Sequence, residues 1–122
     1  RYAIAGESDF GADRVWRFSS HLLKSDPPAY AQLAAALAPL GITKNDKGEA
    51  DGTDVDPTIQ AGAPWISLNQ DGIRYFDWHH TPDDTLDKID PDQLRQNVAA
   101  WTAMLAVLSG GIEPEPKRRS RR

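Results

Sequence analysis

Two Asp-Pro steps constrain this chain more than any other feature. Ser25-Asp26-Pro27-Pro28 and Asp90-Pro91 each place a capping side chain just ahead of a proline. Proline is pre-set for the first helical turn and its missing N–H is not needed there. After the first step, Ala29, Leu33, Ala36, Leu37 and Leu40 recur at helical spacing, and Gly41 closes the segment. After the second, Leu94, Val98, Trp101, Leu105 and Leu108 keep to one face of a long final helix that Gly110-Gly111 ends.

Short apolar runs lie before and between these helices. Residues 2 to 8 read as a buried strand that delivers Glu7-Ser8-Asp9 at its C-terminal end, as though the chain begins inside a strand. Val15, Trp16 and Phe18 form a second short strand or an edge, and Pro64 to Leu68 a further strand. Residues 44 to 52 are a polar loop, Asp54-Val55-Asp56-Pro57 starts a short helix reaching Ala61-Gly62, and Asn69-Gln70-Asp71-Gly72 has turn chemistry. Strands that alternate with helices predict an α/β layer arrangement. Residues 1 to 111 read as one folded portion. Residues 112 to 122, with Pro114, Pro116 and five cationic side chains, read as a disordered basic tail.

Composition excludes several functions. Hydrophobic residues make up 39% and charged residues 26%, ordinary globular usage. Such a length buries about two thirds of the unfolded surface, and the four tryptophans help. A net charge of −4 gives no pull toward nucleic acid, and no apolar run approaches the ~20 residues of a membrane span. Without cysteine there is no disulfide, thiolate metal site or cysteine nucleophile. The serines lie in no G-x-S-x-G setting, and there is neither a phosphate-cradling G-x-x-x-x-G-K-[ST] loop nor an H-E-x-x-H pair.

Three clusters remain. Tyr75-Phe76-Asp77-Trp78-His79-His80-Thr81-Pro82-Asp83-Asp84-Thr85 sets two imidazoles among aromatics and carboxylates. In an extended segment neighbours point to opposite sides, so only one of His79 and His80 is expected to face a given site. A ligating imidazole needs a partner for its other nitrogen, which Asp83 or Asp84 can supply; alternatively, the pair caps a loop. Glu7-Ser8-Asp9 ends a strand at the edge where open α/β folds bind ligands, or else Asp9 caps the loop at Gly11. The acids of Gly52-Thr53-Asp54-Val55-Asp56-Pro57 suit the positive end of a helix dipole, a sufficient structural reason for them.

In their order and spacing these segments resemble the C-terminal third of M28 metallopeptidases, most closely the branch of plasma glutamate carboxypeptidase-like enzymes and related bacterial aminopeptidases. The resemblance runs over roughly residues 1 to 108. It implies part of a zinc-peptidase-like mixed sheet flanked by helices in three α/β/α layers. It also implies two Zn²⁺ ions per complete site, a peptide substrate, and Asp9 and His80 as metal ligands. His79 is then the neighbour pointing elsewhere, Asp84 the acid that orients the site, and Asp54 and Tyr75 the lining of a substrate pocket. The chain departs from the family pattern in having no H-x-D motif and no Glu-Glu pair, so the bridging Asp, two further ligands and the general base are absent. The resemblance therefore implies an exopeptidase portion that is inactive without the remainder of its catalytic domain. The alternatives are a metal-free binding domain of the same fold and a zinc enzyme acting on non-peptide amides. Relatives in this branch are commonly exported, which implies a periplasmic or secreted parent.

Overall fold

The computed structural model describes residues 3–50 and 52–110. The basic tail expected over residues 112–122 lies outside them. In chain order the elements are β1 (Val15–Ser20), α1 (Leu22–Ser25), α2 (Pro27–Leu37), β2 (Thr43–Lys44), α3 (Asp56–Gln60), β3 (Ile66–Gln70), α4 (Tyr75–Trp78) and α5 (Pro91–Leu108). Single turns of 3₁₀ helix at Ala38–Leu40 and Leu86–Lys88 complete the set. The expected α/β class is present, with a mixed sheet in the order β2-β1-β3.

Both proline-marked helices start as their residues dictate. The Asp26 carboxylate accepts from Ala29 N–H at 3.1 Å, and that of Asp90 accepts from Asp92 and Gln93 N–H at 2.8 and 3.2 Å. These backbone donors hold the Asp90 carboxyl below its ordinary range. At the far end of the first helix, Gly41 sits at φ +76°, where a side chain would be strained.

The segment around Val15 is the centre of the sheet and not its edge. β1 pairs in parallel with β2 and antiparallel with β3. Strict alternation would put Val15 and Phe18 on opposite faces, but a bulge between Val15 and Arg17 brings both to full burial. They meet Ile66 and Leu68 of β3, Tyr30, Leu33 and Leu37 of α2, and Ala100, Met104 and Val107 of α5. Helices α2 and α5 pack on each other, forming one helical layer over this face. The loop after β2 approaches the other face, where Ser19 Oγ donates to Glu49 O at 3.3 Å.

Three expectations are corrected. Residues 3 to 8 make one parallel bridge, Ala5 to Trp65, and not a strand; beyond it Glu7 and Ser8 turn to other partners. β3 runs through Asn69 and Gln70, because the buried Gln70 amide is engaged, and the turn begins only at Asp71. The apolar positions of α5 do share a face, but Leu94, Val98 and Leu105 remain 42, 59 and 58% exposed. The face turned inward carries Gln96, Asn97, Ala100, Met104 and Val107. Gln96 is there because β2 spans only Thr43–Lys44: Arg14 O accepts from Asp71 N–H on the β3 side, so the Val15 N–H faces the other way, where no strand reaches it. Its side-chain amide accepts from Val15 N–H at 2.9 Å and donates to Val15 O at 2.7 Å, replacing the missing rungs.

Candidate functional site

The loop from Ser8 to Asp13 is held from beneath by buried amides. Gln70 Nε2 donates to Ser8 Oγ at 2.5 Å and to Asn97 Oδ1 at 3.2 Å, while Asn97 Nδ2 donates to Asp13 O at 2.9 Å. Asp9 stands exposed between these anchors, with Phe10 beside it. Glu7, just before, accepts from the backbone N–H groups of Asp54 and Val55 at 2.9 and 3.2 Å. A Cβ at Gly52 would lie 2.3 Å from the Glu7 carboxylate, and Gly52 also has φ +109°, so glycine is required there on both counts.

Across from this loop, α4 presents a run of aromatic rings. Phe10 stacks on Tyr75 at 4.4 Å, Tyr75 on His79 at 4.4 Å, and His79 on His80 at 3.7 Å between ring centroids. Phe76 meets Tyr75 edge-on at 5.0 Å. The expectation that the two histidines point apart is overturned by the backbone. His80 takes φ +58°, the left-handed region, so the chain reverses and its imidazole folds back on that of His79. Non-glycine residues held in this region concentrate at functional sites.

Tyr75 reports what surrounds the stack. Burial pushes its phenol up, and the charges of Asp9 and Asp84 push it further in the same direction. Asp9, from the far end of the chain, and Asp84, nine residues on, thus both act on Tyr75, which the histidine pair adjoins through the rings. Below the stack is a cavity of about 200 Å³ lined by Phe10, Tyr75, Trp78, His79, Asp84 and Ile89 among others. Of the two imidazoles, His79 lines it and His80 is exposed. Asp54 is exposed on the turn before α3, away from this cavity, and joined to the Asp9 loop through Glu7. Neither Asp83 nor Asp84 hydrogen-bonds an imidazole: Asp83 accepts from Thr85 Oγ1 through its carbonyl, and Asp84 acts on Tyr75 by charge.

Three residues of the site were not singled out from the sequence: Phe10, Asp13 and Arg74. Arg74 makes a forked ion pair with Asp13, and its guanidinium lies 4.9 Å over the Trp78 ring. Phe10 adjoins Asp9 in sequence, a usable signal, whereas nothing local announces a pair 61 residues apart. Further along, hydrogen bonds from Lys88 and then Thr85 hold the Asp87 carboxyl down at about 2, pinning the turn that leads to α5.

One carboxylate and one exposed imidazole, with a second carboxylate nearby, are donors of the kind zinc accepts, but they are fewer than the four a tetrahedral ion takes. Among the described residues no group of three or more His, Cys, Asp or Glu side chains converges as a metal site.

A mixed sheet under a helical layer, with carboxylates and imidazoles gathered beyond the strand ends, defines an α/β protein with a candidate site at the edge of its sheet. The model of peptidase family M28 matches residues 11–105, and the chain belongs to that family. It is similar to carboxypeptidase Q of Rattus norvegicus, with 39% identity over 70% of this chain and 18% of that protein. It is also similar to carboxypeptidase Q of Pongo abelii, with 33% identity over 95% of this chain and 24% of that protein. The crystal structure of a peptidase M28 precursor from Shewanella amazonensis SB2B superimposes with a TM-score of 0.76, at 37% identity, over 94% of this chain and 26% of that one. The chain thus spans about a fifth of the length of the curated relatives it matches.

Proposed function

We propose that this chain is the C-terminal portion of the catalytic domain of a di-zinc exopeptidase that hydrolyses terminal peptide bonds. The observation that carries the reading is the meeting of Asp9, Asp84, Tyr75 and the His79–His80 pair around one ring stack. Asp9 and His80 are the residues that would hold metal, one ion apiece or the same ion. Zinc, when bound, supplies a water of lowered pKa and a Lewis acid for the peptide carbonyl. Asp84 lines the cavity beside Tyr75 and His79, where its carboxylate favours cations. Tyr75, its phenol pushed up and so protonated at neutral pH, offers an O–H to a substrate oxygen. The apolar cavity beneath takes part of the peptide, and Asp54, away from the cavity, is tied to the Asp9 loop through Glu7.

The remaining ligands and the general base belong to the remainder of the catalytic domain, and the chain by itself is inactive. The exposed face of α5, with Leu94, Val98 and Leu105, is where we place contact with that remainder. We place the parent protein in the periplasm or outside the cell. Among the described residues no helix is long and apolar enough to cross a membrane.

The test is zinc content and peptidase activity of the complete polypeptide beside its Asp9→Ala and His80→Ala variants. Loss of at least one zinc equivalent and a fall in activity of two or more orders of magnitude is expected in each. Full metal and activity in both would make these residues structural. Metal-free parent protein that still binds peptides would favour an interaction domain, to which the small donor set also points. Hydrolysis of non-peptide amides alone would assign a different substrate.

A further inference from the structure

The two halves of the site come from segments far apart in the chain, and something must set the distance between them. Phe10 against Tyr75 is one contact, but a ring stack can slide. The other is the pair of Asp13 and Arg74. Arg74 Nε donates to Asp13 Oδ2 at 3.1 Å while an Nη donates to Oδ1, so the fork fixes orientation as well as distance. Each partner is anchored in turn. The Asp13 carbonyl accepts from the buried Asn97 amide, and the Arg74 guanidinium lies over Trp78, one residue before His79.

We infer that Asp13 and Arg74 are positioning residues, a strap that holds the Asp9 loop in register with the Tyr75–His80 turn. This rests on the proposed ligand roles of Asp9 and His80, whose separation the strap would set. Energetics favour a local role over a global one. The Asp13 and Arg74 side chains are 18 and 40% exposed, so the fork is part-buried and contributes to stability, though far less than a core side chain such as Leu33. Yet outer groups that orient metal ligands commonly change metal affinity about 10–100-fold. Lysine at position 74 would keep the charge and lose the fork.

The experiment uses the complete polypeptide, isotope-labelled at its Phe and Tyr rings, with Arg74→Gln, Arg74→Lys and Asp13→Asn as variants. Arg95→Gln is the control, since its pair with Asp92 is exposed on α5 away from the site. Three quantities are read: the nuclear Overhauser contact between the Phe10 and Tyr75 rings without metal, the melting temperature, and zinc affinity by calorimetry. Arg74→Gln and Asp13→Asn should weaken the ring contact severalfold and zinc binding about tenfold or more. Their melting temperatures should fall by about 5 °C at most, with Arg95→Gln as the zero reference. Arg74→Lys should recover part of the ring contact. An unchanged ring contact in Arg74→Gln overturns the strap, as does a melting temperature that collapses with it, which would mean a general role in the fold. If zinc binding is absent, or is indifferent to Asp9→Ala and His80→Ala, the ligand reading falls. The metal-free ring contact then still decides whether the strap exists.

Discussion

Helices α2 and α5 start alike, each with an aspartate cap and a proline, yet they use their apolar residues in opposite ways. α2 turns Tyr30, Leu33 and Leu37 into the core. α5 turns in two amides with Ala100, Met104 and Val107, and leaves Leu94, Val98 and Leu105 on the outside. A helix with an apolar stripe normally packs that stripe inward. Here the sheet has already been served by α2 and by one side of α5, so the richer apolar face of α5 is left over. The contrast teaches that α2 belongs to a finished core, whereas α5 has a second surface with nothing on it among the described residues. Solitary exposed apolar side chains are common, but a helical row of them marks an interaction surface.

That comparison can be broken at three points. Leu33 is fully buried, so Leu33→Ala should lower the unfolding free energy by about 3 kcal/mol in urea denaturation. A loss below about 1 kcal/mol would mean that α2 is not the finished side. Gln96→Ala should cost about 2 kcal/mol, because it leaves both backbone groups of Val15 buried and unpaired. A neutral result would show that water or a shifted strand replaces the amide. Leu105→Glu should change stability by less than about 0.5 kcal/mol while abolishing any association through the outer face of α5, read by sedimentation. If it unfolds the chain instead, that face is core and the contrast with α2 disappears.

The same division runs through the site. The two clusters that meet, Glu7-Ser8-Asp9 and the run from Tyr75 to Thr85, are visible in the sequence as dense patches of chemistry, whereas the acids before α3 make no side-chain cap and Glu7 takes the backbone donors there instead. What could not be read was how they join. The stacking of His79 on His80 depends on a left-handed residue that alternation does not anticipate. The Asp13–Arg74 fork depends on two loops brought together by the sheet. The buried Gln70 read as a turn residue and Asn97 drew no notice, because nothing near them in sequence shows that the Ser8–Asp13 loop needs amide partners.

By itself, then, the sequence determined where the two proline-marked helices begin and end, that the segments around Val15 and Ile66 are strands, and which residue types are available for chemistry. Capping, proline geometry and turn formation act within a few residues, so they can be read locally. Only the tertiary structure decided that β1 is central, which face of α5 is buried, and that Asp9 lies beside Tyr75 and the histidine pair. Those outcomes depend on which surfaces compete for the same core and on hydrogen bonds closed across 27 to 85 residues of chain, and no local pattern carries that information.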